Sequence, residues 1–148
     1  MNREAVYEQL KIDEGVEYKL YLDHLGYKTF GVGHLVLDTD PERNYEVGER
    51  VSVERAQECF DYDLDLAVSE CVALYDEDVW EGFPGEVQEI LVNMMFNMGR
   101  TRLSKFKNFT AALKEGDWKR AAVEGRDSLW HRQVTNRAER LMVRMENV

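Results

Sequence analysis

Residues 10–35 read LKIDEGVEYKLYLDHLGYKTFGVGHL, and the change of rhythm inside this stretch sets the fold. Just upstream and into it, Ala5, Val6, Leu10 and Ile12 make a rough apolar stripe at helical spacing. This predicts a helix over residues 3–13, stopped by Gly15. From Tyr18 the period becomes two: Tyr18, Leu20 and Leu22 alternate with Lys19, Tyr21 and Asp23. After Gly26, Tyr27–Val32 is rich in β-formers, so the pair predicts a hairpin turning near His24–Gly26. Gly31 and Gly33 in the returning strand predict bulges or a close backbone approach.

Outward from the hairpin, residues 37–50 are polar and turn-rich. Asp38 and Asp40 do not continue into an EF-hand loop, so they are expected as solvated turn residues. Ser52 is a good N-cap for a long helix whose Val53, Ala56, Phe60, Leu64, Ala67, Val68, Cys71, Val72 and Tyr75 recur every three to four residues. FPGE at 83–86 predicts a turn, followed by an apolar helix over 87–98 that stops at Gly99. Shorter helices are expected near 106–114, 117–124 and 136–145. The order helix, small antiparallel sheet, many helices is that of an α+β protein. The expected organisation is one domain over 1–148. Its sheet lobe covers about 14–55, its helical lobe about 1–13 and 70–148, and a helix over about 52–75 connects them.

Bulk properties narrow the function. The chain has 148 residues, 44% hydrophobic and 32% charged, a globular balance without low-complexity segments. No run approaches the ~18 apolar residues of a membrane span, and the charged N-terminus does not read as a signal peptide. Cys59 and Cys71 lie twelve residues apart on one expected helix, roughly 18 Å. That is too far for a disulfide, and it fits synthesis in a reducing compartment. The formal charge is −10 and uneven: residues 1–89 hold 23 of the 29 acidic groups, and residues 90–148 hold 12 of the 19 basic ones. The overall sign excludes a general nucleic-acid binder, while a basic C-terminal portion suits a polyanion or is simply a solvated face.

The densest set of polar, non-repetitive residues is Asp13, Glu14, Asp23, Thr29 and His34. Glu14 would end the first helix, where the negative pole of the helix disfavours its charged form, as a general acid requires. Asp23, at the hairpin turn, would be better solvated. Two carboxylates in unlike settings suit glycoside hydrolysis, with the Thr29 hydroxyl near Asp23 to hold a water. Spacing alone favours ordinary surface charge.

The stretch 10–35 resembles the N-terminal signature of the phage-type lysozymes, glycoside hydrolase family 24 of the T-even type. It joins a helix-terminal Glu-Gly to Tyr-x-Asp and Gly-Tyr-x-Thr-x-Gly-x-Gly-His. NMMFNMG at 93–99, then Trp118 with Ala121 and Ala122, then SLWHRQVTNRAER at 128–140, resemble later blocks of that family in the same order. The resemblance implies a lysozyme-like fold and hydrolysis of the β-1,4 bond between N-acetylmuramic acid and N-acetylglucosamine in peptidoglycan, with inversion and without a cofactor or metal. It implies Glu14 as general acid, Asp23 as base or stabilising carboxylate, and Thr29 as the residue positioning the water. Arg137 would pair with Glu14, His34 with Asp63, and Leu35 and Phe96 would line the saccharide cleft.

The segment His34–Ser52 is shorter than the family pattern, and Phe109 and Glu124 replace polar residues at two cleft positions, which bears on subsite preference. The partner implied is the glycan strand, met by a monomer without nucleic acid or stable membrane insertion. The enzyme would be made in the host cytoplasm and act on the peptidoglycan layer, or be secreted were the N-terminus processed. An anionic wall would repel an acidic enzyme, less so once the Debye length falls to about 8 Å. Trp118, Trp130, Met94, Met95 and Met98 read as core rather than sugar contacts. A wall-binding module without catalysis, or a transglycosylase forming an anhydro sugar, are the competing classes.

Overall fold

The computed structural model describes residues 1–148. Its elements are α1 (Arg3–Glu14), β1 (Glu17–Leu22), β2 (Lys28–Gly31), β3 (His34–Leu35), a 3-10 turn (Pro41–Asn44), α2 (Val53–Tyr75), α3 (Glu77–Gly82), α4 (Gly85–Leu103), α5 (Lys107–Lys114), α6 (Trp118–Arg126), α7 (Leu129–Gln133) and α8 (Thr135–Glu146). The fold is α+β, with one three-stranded antiparallel sheet in the order β1-β2-β3. Contacts divide the chain into two compact units, Arg3–Leu66 and Met1–Asn2 with Ala67–Val148.

In the first unit the hairpin forms where the alternation predicts. Tyr21 faces Thr29 and Leu22 faces Lys28, and the register slips between Glu17 and Tyr21. The segment after the 3-10 turn adds to the free edge of β1, through Leu20 N to Glu49 O at 2.9 Å and Val51 N to Tyr18 O at 3.0 Å. Leu20, Phe30, Val51 and Cys59 form the core between sheet and α2, flanked by Val36 and Tyr45. Gly31, expected at a close approach, lies against Ala56 of α2. Ser52 caps α2, its Oγ accepting from Arg55 N at 3.0 Å.

Helix α1, expected with the helical lobe, groups with the sheet unit instead. Its reason is packing: the Tyr7 ring lies 4.5 Å from that of Phe60, and Arg3 pairs with Asp65 at 3.0 Å. Val6 and Leu10, one turn apart, are buried on the same face.

In the second unit α8 packs on α4, α6 and α7, and α5 on α6. The buried face of α8 is Ala138, Leu141, Met142 and Met145, spaced three and four apart as an amphipathic helix needs. At Gly125 the backbone of α6 runs so close to Met142 that a Cβ would collide with its sulfur. The apolar helix breaks at Gly99 as expected, with φ 77° and ψ 167°, and one further turn follows to Leu103. Two short helices, α3 and α7, arise where no period was visible. Ser128 caps α7 by accepting from His131 N at 3.1 Å.

Both cysteines are buried and free. Burial pushes each thiol up to about 12, so neither is a reactive thiolate at neutral pH. Phe30 is fully buried at the centre of the sheet core. Phe30→Ala is expected to destabilise the protein by about 3–5 kcal/mol, measured by urea unfolding. A change below about 1 kcal/mol would place the core elsewhere.

Candidate active site

The hairpin turn is built around Asp23. Its N–H donates to Tyr27 O at 2.9 Å, and its carbonyl accepts from Gly26 N at 2.9 Å. Its side-chain Oδ1 accepts from Leu25 N and Tyr27 N, both at 2.9 Å. Aspartate is suited to this position because its short side chain caps backbone donors two to four residues on. Asp23 is therefore half-buried and fastened to the turn, rather than simply solvated as expected. The Thr29 hydroxyl donates to the same Tyr27 carbonyl at 3.0 Å. With its proton so directed, the buried oxygen of Thr29 presents lone pairs to any donor nearby.

Glu14 is the last residue of α1 and is half-buried. Gly33, in the turn between β2 and β3, lies beside it: a Cβ on Gly33 would stand 3.8 Å from both Glu14 Cβ and Oε2. Tyr21, which spacing did not single out, feels the charge of both carboxylates. Burial raises its phenol first, and the charges of Glu17, Asp23 and Glu14 raise it further. Tyr21 lies opposite Thr29 in the sheet. Glu14, Asp23 and Thr29 thus belong to one unit and share Tyr21 as neighbour or cross-strand partner.

Behind β3, His34 is buried with both ring nitrogens engaged. Nδ1 meets Asp63 Oδ2 at 2.7 Å and Nε2 meets Asp40 Oδ2 at 2.8 Å. Asp63 is the partner that the resemblance implies. Asp40 is the correction: it is not a solvated turn residue but a second carboxylate on the ring. It also accepts from Leu37 N at 2.9 Å and from Arg55 at 3.2 Å. Arg55 continues the network with a forked contact to the buried Glu42 and one to Glu58. Burial works against a charged imidazole, yet the hydrogen bonds from Asp63 and Asp40 outweigh it, and the His34 pKa is raised. Burial likewise opposes the Asp40 charge, and its bonds to Leu37 N and His34 leave its pKa lowered.

In the other unit, Arg137 begins α8 and donates from Nε to Asn93 Oδ1 at 2.9 Å and from a terminal nitrogen to Asn93 O at 3.2 Å. Asn93 is buried within the apolar run of α4. Four residues on, Asn97 Oδ1 accepts from Trp130 Nε1 at 2.7 Å, so Trp130 is core with its polar end satisfied. Two asparagines at helical spacing in an apolar helix were the visible signal for these anchors. Phe96 is half-buried on the same helix, and Leu35 on β3 is exposed. Phe109 is buried and Glu124 half-buried. Both line a pocket of about 240 Å³ with Lys105, Lys107 and Ser128.

A family model described as phage lysozyme matches residues 11–146. The chain is 31% identical to the pre-baseplate central spike protein Gp5 of Enterobacteria phage T4, over 90% of this chain and 26% of that protein. It is 26% identical to probable T4-type lysozyme 2 of Dictyostelium discoideum, over 91% of this chain and 89% of that one. It is 31% identical to peptidoglycan hydrolase gp36 of Pseudomonas phage phiKMV, over 89% of this chain and 14% of that protein. The chain thus spans about a quarter of the spike protein's length and nearly all of the Dictyostelium protein's.

The His34 network makes stability depend on pH from both sides. The raised His34 contributes fully below its ordinary value of 6.5 and loses that contribution as pH climbs through its folded value. The lowered Asp40 contributes fully above 3.8 and loses its share as pH falls through its folded value. Maximum stability from this cluster lies between those two ordinary values. His34→Gln is expected to cost about 3–5 kcal/mol at pH 6 and to flatten the alkaline decline, measured by denaturant unfolding from pH 4 to 9. An unchanged alkaline slope in the variant would assign that decline to other groups.

Proposed function

Because the chain belongs to the phage lysozyme family, we propose that it hydrolyses the β-1,4 bond between N-acetylmuramic acid and N-acetylglucosamine, with Glu14 and Asp23 as the working carboxylates. Membership places it among the glycoside hydrolases that act on peptidoglycan. The bond, the residue roles and the stereochemistry are the proposal. The observation that supports it is the convergence of three bonds on the Tyr27 main chain, which orients the Asp23 carboxylate and the Thr29 hydroxyl together on the hairpin, in the same unit as Glu14.

Glu14 protonates the glycosidic oxygen as the bond to the anomeric carbon breaks. A water donates one proton toward Asp23 Oδ2 and the other toward Thr29 Oγ1, which aims its lone pair at the anomeric carbon from the opposite face. Attack from that side inverts the configuration, and Asp23 takes the proton that the water gives up. Leu35, exposed on the strand paired with Thr29, offers an apolar face to a sugar ring. Arg137 is held by Asn93 within its own unit. The His34–Asp63 pair holds β3 rather than touching substrate. The enzyme acts as a monomer on glycan strands after synthesis in the host cytoplasm. No helix is long and apolar enough to cross a membrane.

Digestion of purified peptidoglycan with product analysis tests this reading. Glu14→Gln and Asp23→Asn are each expected to lower turnover by about 10²–10⁴-fold, and the parent to release reducing sugars whose first-formed anomer is inverted. Anhydro products would identify a transglycosylase. Wall binding without released sugar would identify a binding module. Full activity in Glu14→Gln would remove the acid assignment.

A further inference from the structure

We propose that Tyr21 is a substrate-contacting residue whose phenol O–H donates to the N-acetylmuramic acid ring that carries the reacting anomeric carbon. It rests on Glu14, Asp23 and Thr29 being the working groups of the sheet unit. The sheet sorts its side chains onto two faces. Leu20, Phe30 and Cys59 meet in the core, and the Phe30 ring lies 5.1 Å from that of His34, its partner across β2 and β3. The residues next to these in each strand project from the opposite face. There Tyr21 faces Thr29 and Thr29 faces Leu35, so the three stand in one row across β1, β2 and β3. Asp23 follows Tyr21 by two residues, on the side of the same alternation.

The members of the row offer different chemistry. Thr29 spends its hydroxyl proton on the Tyr27 carbonyl, and Leu35 is apolar and exposed. Tyr21 is half-buried, yet no group of the protein accepts from its hydroxyl, which reaches solvent. A phenol joins an apolar ring to a single polar tip, which suits the flat side of a pyranose and the oxygens at its edge. Burial and the charges of Glu17, Asp23 and Glu14 raise the Tyr21 pKa, so the donor keeps its proton at neutral pH. Toward a water, Asp23 and Thr29 both act as acceptors. Among the side chains of this row Tyr21 alone brings a free donor to the sugar.

Tyr21→Phe removes the O–H and keeps the ring, and Tyr21→Leu removes both. Tyr62→Phe, at an exposed tyrosine of α2, is the control. Thermal unfolding checks that each variant is folded at the assay temperature. Two measurements are made on each and on the parent. One is kcat/KM on peptidoglycan across pH. The other is NMR titration with the disaccharide N-acetylglucosaminyl-β-1,4-N-acetylmuramic acid. That disaccharide is the expected product and holds no bond of the kind cleaved, so its binding is read without turnover. Tyr21→Phe is expected to weaken disaccharide binding by about fivefold and to lower kcat/KM by at least as much, with the limbs of the pH profile in place. Tyr21→Leu is expected to lose more in both. Tyr62→Phe is expected to change neither.

Unchanged disaccharide binding in Tyr21→Phe would overturn the proposal. If activity then falls with a displaced pH profile, Tyr21 tunes the carboxylates rather than touching sugar. A parent that does not bind the disaccharide would overturn it as well. Failure of the underlying reading looks different: Glu14→Gln or Asp23→Asn would retain full activity, while the titration still reports on Tyr21.

Discussion

A buried imidazole held between two carboxylates organises the sheet unit. His34 meets Asp63 on α2 and Asp40 in the segment after β3, and Arg55 carries the contact on to Glu42 in the 3-10 turn. Burying charge is unfavourable unless every partner is itself satisfied. Here Asp40 is also held by Leu37 N, and Glu42 receives a forked guanidinium. The bonds to Glu42 in turn raise the Arg55 pKa and keep its charge in place. A short segment without regular structure over much of its length is thereby fixed to a helix and a two-residue strand. Because β3 pairs with β2, and β2 carries Thr29, the order imposed by His34 extends to the hairpin.

The parts of this arrangement that follow a period were legible in the sequence. The hairpin showed its alternation, α2 its three-and-four spacing and Ser52 cap, and the apolar helix its end at Gly99. The parts that depend on partners distant in sequence were not. Asp40 looked like any aspartate in a polar turn, since its burial comes from His34 six residues before it and Arg55 fifteen after. α3 and α7 have six and five residues, too few for a period to register, and only Ser128 hinted at the second. At the candidate site, spacing left Glu14 and Asp23 as two acids among many, and their roles came from the ordered family blocks. Tyr21 was invisible because nothing in an alternating strand marks the charge of Glu14, which comes from the end of α1 seven residues before it.

The basic surplus of the C-terminal residues is smaller at the surface than the count implies. Arg100 pairs with Glu70, Arg120 with Glu115, Arg126 with Glu139 and Glu146, and Arg144 with Glu86 and Glu89. Within α6, α7 and α8 these pairs act as clamps between helices, and His131 shares Glu139 with Arg126. What projects to solvent outside these pairs is a scatter of exposed cations, Lys105, Lys107, Lys114, Lys119, Arg102 and Arg132. Most exposed pairs of this kind contribute little individually to stability, so their effect is chiefly on the field an anionic polymer meets.

The turn that presents Asp23 and Thr29 does its work through the main chain of Tyr27, whose N–H and carbonyl take three of the bonds, while its side chain is more than half exposed. The identity of the side chain at position 27 is thus decoupled from the orientation of the Asp23 carboxylate and the Thr29 hydroxyl. Descendants of this sequence have room to vary there, changing the texture of the hairpin tip without disturbing the carboxylate beside it. Proline is the exception: lacking an N–H, it would remove one of the two donors that hold Asp23 Oδ1.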